Sequence, residues 1–399
     1  MEMPGGGDQA APEAAVGEVT TEASAGAGPA AVPEAATEAI TGAGTEAGTG
    51  AAGRGGRARA ERLLRNAEGV AYWLVVAPLA ARLPARLAYR VACWRGDWEF
   101  RHRAGERSDI ARNLRQVLGD ELGEEEAERL AREFFRMRSC EVIDVMLLRG
   151  QARPLGKLTE MRGREQLDAA LAEGKGAILC SAHFGSYNSA FSLLHASGFP
   201  LTSTGRSLDQ TPGTSSAERR LLEFALGRRL RRHRQRPGIE FQPGRVQGAA
   251  QVAVALRANE VVTFSSDAPP LDADRARAVG VTFLGRQAGL LPGVVALGQL
   301  TGAPVFMVFM HRLADYRHQV LEISASMPVE GDLAAAFGRC VAAMDTAIRT
   351  SPAQWVYWAN TADLASLGLL QPVQATSGQP SSGQASSPEA SSASGGKTP

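Results

Sequence analysis

Lysine is nearly missing from this chain: it occurs only at Lys157, Lys175 and Lys397, and arginine carries the rest of the basic charge. The net charge is only +1, which argues against a general nucleic-acid binder, because such domains are visibly basic. Large apolar residues are scarce in residues 1–56 and again in 371–399, where Ala, Gly, Ser, Pro, Thr and Glu predominate. Burial there cannot offset the entropy of ordering the backbone, so both ends are expected to be disordered tails. Cysteine is sparse as well. Cys93, Cys140, Cys180 and Cys340 form no metal-ligand spacing and are expected to be free thiols in a reducing compartment. A basic segment followed by an apolar run is missing from the start of the chain, so no secretory leader is predicted.

Also missing is any run of about 20 apolar residues, the length that spans a bilayer. The most lipid-like stretch is residues 70–81 (VAYWLVVAPLAA), with arginines on both sides at Arg62, Arg65, Arg82 and Arg86. Its tyrosine, tryptophan and arginine stems suit a membrane interface, the alternative being a buried helix. Residues 57–104 are therefore expected to form a helical membrane-associating segment, and 105–370 an α/β domain. The foldable part, roughly 310 residues, is long enough for one such domain with its own core.

What is present changes texture along the chain. From residue 57 to 93 the pattern is helical, interrupted at Pro78 and Pro84. Residues 108–118 and 124–147 carry apolar residues three and four apart, which predicts amphipathic helices. After Gly174, short apolar runs alternate with helix-length segments. Strands are expected at 176–181, 199–204, 239–241, 261–265, 304–310 and 319–324, and helices at 217–232, 249–257 and 291–301. That alternation implies a largely parallel central sheet flanked by helices. In such sheets ligands bind beyond the carboxyl ends of strands, so the residues just after each strand are where chemistry is sought.

Directly after the first expected strand of this alternation comes Ser181-Ala182-His183-Phe184-Gly185-Ser186-Tyr187-Asn188. Gly185 permits a tight turn, and the following helix N-terminus offers backbone N–H groups to an oxyanion or carbonyl. A neutral imidazole suits a base that takes a proton from an attacking alcohol. The bland alternative is a histidine satisfied by local hydrogen bonds. Cys180, inside the neighbouring apolar run, is more simply a small core residue than a nucleophile.

The order of blocks resembles the lipid A lauroyl/myristoyl acyltransferases and the phosphatidylinositol mannoside acyltransferases, members of the lysophospholipid acyltransferase superfamily. The resemblance runs from Arg82-Leu83-Pro84 and Asn113-Leu114 through Gly176-Ala177-Ile178-Leu179 and His183-Phe184-Gly185. It continues with Gly205-Arg206-Ser207-Leu208-Asp209, with residues 261–267 (VVTFSSD) and with Phe283-Leu284-Gly285. Thr301-Gly302-Ala303-Pro304, His311-Arg312 and residues 348–355 (IRTSPAQW) complete it. It covers about residues 70 to 360.

The resemblance implies an O-acyltransferase moving a fatty acyl group from acyl-CoA or acyl carrier protein to a hydroxyl of a glycolipid or related lipid. His183 would be the general base, and N–H groups at Gly185 and Ser186 would face the developing oxyanion. Arg206 and Arg312 would bind donor or acceptor. No metal or bound cofactor and no nucleic acid is expected as a partner. The implied location is the inner membrane surface, on the cytoplasmic face, as a peripheral or monotopic protein. The family signature places Asp or Glu five residues after the histidine, whereas this chain has Asn188. An asparagine can accept a hydrogen bond from the imidazole but cannot stabilise an imidazolium by charge. Asp267, at the end of a later strand, is the first candidate to supply that charge. Without such an acid, the chain would be a catalytically silent acyl- or lipid-binding relative. The arginines at 219, 220, 228, 229, 231, 232, 234 and 236 suit anionic headgroups or an acidic acyl carrier. Residues 354–358 (QWVYW) read most simply as core.

Overall fold

The expected helical first third is present in the computed structural model, which describes residues 71–119, 122–148, 153–205, 239–240 and 247–370. Both expected tails, the start of the expected membrane-associating segment, Arg206 and the basic stretch 217–232 lie outside the described residues. A π-helical turn at Tyr72–Val76 runs into a short helix, Ala77–Ala80, which accommodates Pro78 at its first turn. The chain turns before Pro84, the N-cap of helix α1 (Ala85–His102). Helices α2 (Ala104–Leu118) and α3 (Glu124–Leu147) follow. α1 buries a face of small residues, Ala88, Ala92 and Gly96, against α3. The approach is so close that a Cβ on Gly96 would stand 2.6 Å from the Arg136 Cα. No helix among the described residues is long and apolar enough to cross a membrane.

Strand β1 (Thr159–Arg162) and helix α4 (Arg164–Ala172) lead to β2 (Ala177–Ser181), followed by α5 (Tyr187–Ala196), β3 (Leu201–Gly205) and β4 (Ile239–Glu240). Helix α6 (Gln247–Arg257) precedes β5 (Val261–Ser265). The hairpin β6 (Val279–Phe283) and β7 (Arg286–Leu290) comes next, then α7 (Gly293–Thr301), β8 (Val305–Arg312), β9 (Gln319–Met327) and α8 (Leu333–Thr350). Among the described residues, seven strands form one sheet in the order β1-β9-β8-β2-β5-β3-β4. It is parallel except at the β8–β9 pair.

Every residue of β2 is buried, as a strand covered on both faces requires. Ile178 and Cys180 join the core shared with α6, α7 and α8. Ala177 and Leu179 face the other way, into the core shared with α1, α3 and α5. Period-two alternation in the strand thus feeds two separate hydrophobic layers. β1 and the β6–β7 hairpin lie outside the strands expected from sequence. β1 is a polar edge strand, and the hairpin is rich in Gly and polar residues, so neither carries the apolar run that marks the others. The hairpin turns at Leu284 and Gly285, both with positive φ, 51° and 77°, as a two-residue turn demands.

Candidate active site

The register of the sheet creates the site. β2 and β5 are adjacent and parallel, with Ser181 opposite Ser265. His183 and Asp267 each lie two residues beyond that pair, so two side chains 84 positions apart arrive level with each other. The Asp267 carboxylate takes His183 Nδ1 at 2.6 Å through Oδ1 and the His183 backbone N–H at 2.8 Å through Oδ2. Trp355 Nε1 donates to the same Oδ2 at 2.8 Å. Asp267 is fully buried. Burial alone would push its carboxyl up, but the charge and hydrogen bonds of His183, with the Trp355 indole, hold it below the usual carboxylate range.

A carboxylate on Nδ1 means that this nitrogen carries the proton, so Nε2 holds the basic lone pair of the neutral ring. The imidazole packs edge-on against Tyr187 and Tyr357, with ring centroids 4.9 and 5.4 Å away. It still keeps 23% of its side-chain surface accessible. This is the geometry of an oriented base at a protein surface rather than of a histidine sealed in the core.

The turn after His183 is locked by backbone contacts. Gly185 has φ +58°, and a Cβ there would overlap the Met310 carbonyl oxygen at the end of β8. Its N–H donates to the Gln354 carbonyl at 2.8 Å. The Gln354 side chain meanwhile accepts from Arg312 N at 2.8 Å and donates to Arg312 O at 3.0 Å, splicing the end of β8 to this turn.

Behind the turn lies a buried polar cluster. Asp144, on α3, receives Ser186 Oγ and the Arg312 guanidinium on one oxygen. Its other oxygen accepts from Tyr89 Oη at 2.6 Å and Gln319 Nε2 at 3.1 Å. Arg312 Nη2 also reaches Ser186 Oγ at 2.6 Å. Burial pulls the guanidinium's basicity down, but the Asp144 charge more than restores it, so Arg312 stays protonated. Ser186, Asp144 and Arg312 are all nearly inaccessible.

All the expected site residues except Arg206, which is not among the described residues, are thus brought to one place, the carboxyl ends of β8, β2 and β5, but by different contacts. Orientation and charge, divided in expectation between Asn188 and Asp267, both reach His183 through Asp267. The Asn188 amide donates instead to Glu141 Oε1 on α3 at 3.3 Å. The Gly185 N–H and the Ser186 hydroxyl are engaged within the protein, Arg312 is committed to Asp144, and Arg206 lies outside the described residues. The Cys180 thiol is sealed in the core, where burial pushes it well up and away from nucleophilic use. A cleft lined by Gln166, Lys175, Gln299 and Phe306 lies at the opposite end of the strands from His183.

Sequence reasoning misses four contributors. Trp355 reads as core, although a buried indole N–H needs an acceptor and so signals a polar partner. Gln354 stands in a family block but reads as core, and Asp144 and Glu141 belong to no motif; the hint for those two is a pair of acids in the apolar last turns of α3. No curated protein matches the chain. Residues 58–360 match the family model described as bacterial lipid A biosynthesis acyltransferase.

Proposed function

The chain belongs to the bacterial lipid A biosynthesis acyltransferase family, and from that membership, which implies acyl transfer to a lipid acceptor, we propose a specific reaction centred on His183. A fatty acyl group passes from the thioester of acyl-CoA or acyl carrier protein to a hydroxyl of a glycolipid or related lipid. Nε2 takes the hydroxyl proton as that oxygen attacks the thioester carbon. The tetrahedral intermediate then collapses to the ester, and the departing thiolate receives the proton from the imidazolium. Asp267 holds the ring in the productive tautomer and balances its charge. The backbone N–H groups of Tyr187 and Asn188, which precede those of Ser189 and Ala190 that turn back to the Ser186 carbonyl, face the developing oxyanion. Arg312 serves as the strut behind Ser186.

The observation that carries this reading is the Asp267 bond to Nδ1 of a ring that remains accessible. It supports an enzyme over a silent lipid-binding relative, because the missing acid at position 188 is the main reason to prefer the latter.

We also place the protein on the cytoplasmic membrane surface. Val75, Val76, Leu79, Leu83 and Leu87 are exposed at roughly four-residue spacing, with Arg82, Arg86 and Arg90 exposed among them. An apolar row edged by arginines suits insertion into the headgroup layer.

Radiolabelled acyl-CoA and acyl-carrier donors, incubated with membrane lipid extract and purified protein, test the reaction. Label should move to lipid with wild type and not with His183→Ala. Equal transfer by both, or none by wild type above blank, would overturn the proposal.

A further inference from the structure

Glu141 and Asp144 are three residues apart on α3 and so share a helix face. Asp144 is spoken for by Arg312, Ser186, Tyr89 and Gln319. Glu141, one turn earlier and only half-buried, reaches toward the first turn of α5, where Asn188 Nδ2 donates to its Oε1 at 3.3 Å. That turn also carries Tyr187, whose ring packs on the imidazole. A neutral amide holding a carboxylate is an expensive arrangement for mere packing, since an apolar pair would join α3 to α5 at lower cost.

We propose that Glu141 is a second carboxylate of this site, a positioning residue that shares with Asp267 the charge of the His183 imidazolium, with Asn188 as the arm that holds it. The inference rests on the acyl-transfer reading of the same site. When Nε2 takes a proton from the acceptor hydroxyl, the ring becomes cationic, hydrogen-bonded to Asp267 and within the electrostatic reach of Glu141. Stabilising that cation lowers the barrier to proton removal.

The charged groups around Glu141 agree with this arrangement. Burial and then the Asp144 charge raise its carboxyl, to about 7, while Asn188, Arg312 from β8 and His183 draw it down. Tyr187, its neighbour on α5, has its own phenol pushed up by burial and by Glu141. The carboxyl therefore ionises in the range where an imidazole does. It gains its charge most readily when His183 gains a proton.

The test follows the imidazole itself, so it does not depend on turnover. Selectively 15N-histidine-labelled protein is titrated by NMR, with His183 assigned among the six histidines from the spectrum of His183→Gln. In Glu141→Gln, which keeps an acceptor for Asn188, the His183 titration should fall by about 0.5 to 1 pH unit, the scale of one nearby charge. The double variant Glu141→Gln/Asn188→Asp returns the charge to a position one hydrogen bond away and should restore the wild-type titration. Asn188→Asp alone sets two carboxylates side by side that must share a proton, so it should raise neither the titration point nor the rate. In turnover, Glu141→Gln should lose about tenfold in kcat with KM within about twofold, and the double variant should recover most of it.

A His183 titration unchanged in Glu141→Gln, or not restored in the double variant, would overturn the inference whatever the activities. Absence of acyl transfer by wild type would instead count against the acyl-transfer reading and leave the titration to decide this one.

Discussion

Replacing Asp267 by asparagine changes one atom and removes the charge, and the donors around the carboxylate dictate how the new amide sits. Oδ2 accepts two hydrogen bonds, from Trp355 Nε1 and the His183 backbone N–H, whereas Oδ1 accepts one, from His183 Nδ1. The asparagine carbonyl will therefore take the Oδ2 position, because the reverse leaves two buried donors unsatisfied at about 1–3 kcal/mol each. Its NH2 group then points at Nδ1, which must become the acceptor, so the proton moves to Nε2 and the ring can no longer take one from an alcohol. Wrong-tautomer substitutions of this kind cost about 10⁴ in rate in Ser-His-Asp enzymes. Here a loss of about 10³ to 10⁴, roughly 4–5.5 kcal/mol of transition-state stabilisation, is expected at unchanged thermal stability. The assay is acyl transfer from labelled donors, paired with 15N NMR of the His183 tautomer. Activity of Asp267→Asn within tenfold of wild type, in a folded protein whose Nδ1 still carries the proton, would refute the reasoning.

Three other outcomes are expected from the same structure. Arg312→Ala strands Asp144 and Ser186 in the core without their cation, so it should destabilise the fold by about 3–5 kcal/mol, read as a drop in the denaturant midpoint, whereas Arg312→Lys should lose less. Glu141 holds its proton up to about 7 in the folded protein, against an ordinary value of 4.5. The folded state thus binds more protons between those limits, and stability falls as pH rises through that window and stays lower above it. Glu141→Gln should therefore be as stable as wild type at pH 4 and more stable at pH 8, by about 1–3 kcal/mol after discounting for partial exposure. A Tm difference independent of pH would contradict this. Finally, Leu79→Ser/Leu83→Ser/Leu87→Ser removes exposed apolar surface only. Liposome flotation should be lost with the melting temperature unchanged; undiminished flotation would place membrane contact elsewhere.

The features legible in the chain alone are those that depend on local periodicity and local stereochemistry. The apolar spacing of residues 124–147 marks α3 from end to end, and the solid apolar runs at 177–181 and 261–265 mark strands buried at least in part on both faces. His183 followed by glycine after such a strand marks the site, because a strand end leading into a helix is where a parallel sheet exposes chemistry. Which residues meet that histidine is a matter of packing. Asp267 reaches it because β5 lies next to β2 in register, a pairing made by hydrogen bonds between strands 84 residues apart and invisible to any local window. Asn188, five residues away in sequence, turns instead to Glu141 on a helix 47 residues earlier. Arg312 likewise ends in a buried pair with Asp144, 168 residues away. Chain neighbours share a helix or strand direction, whereas site neighbours share a position in the packed layers, and that position is set by the whole core.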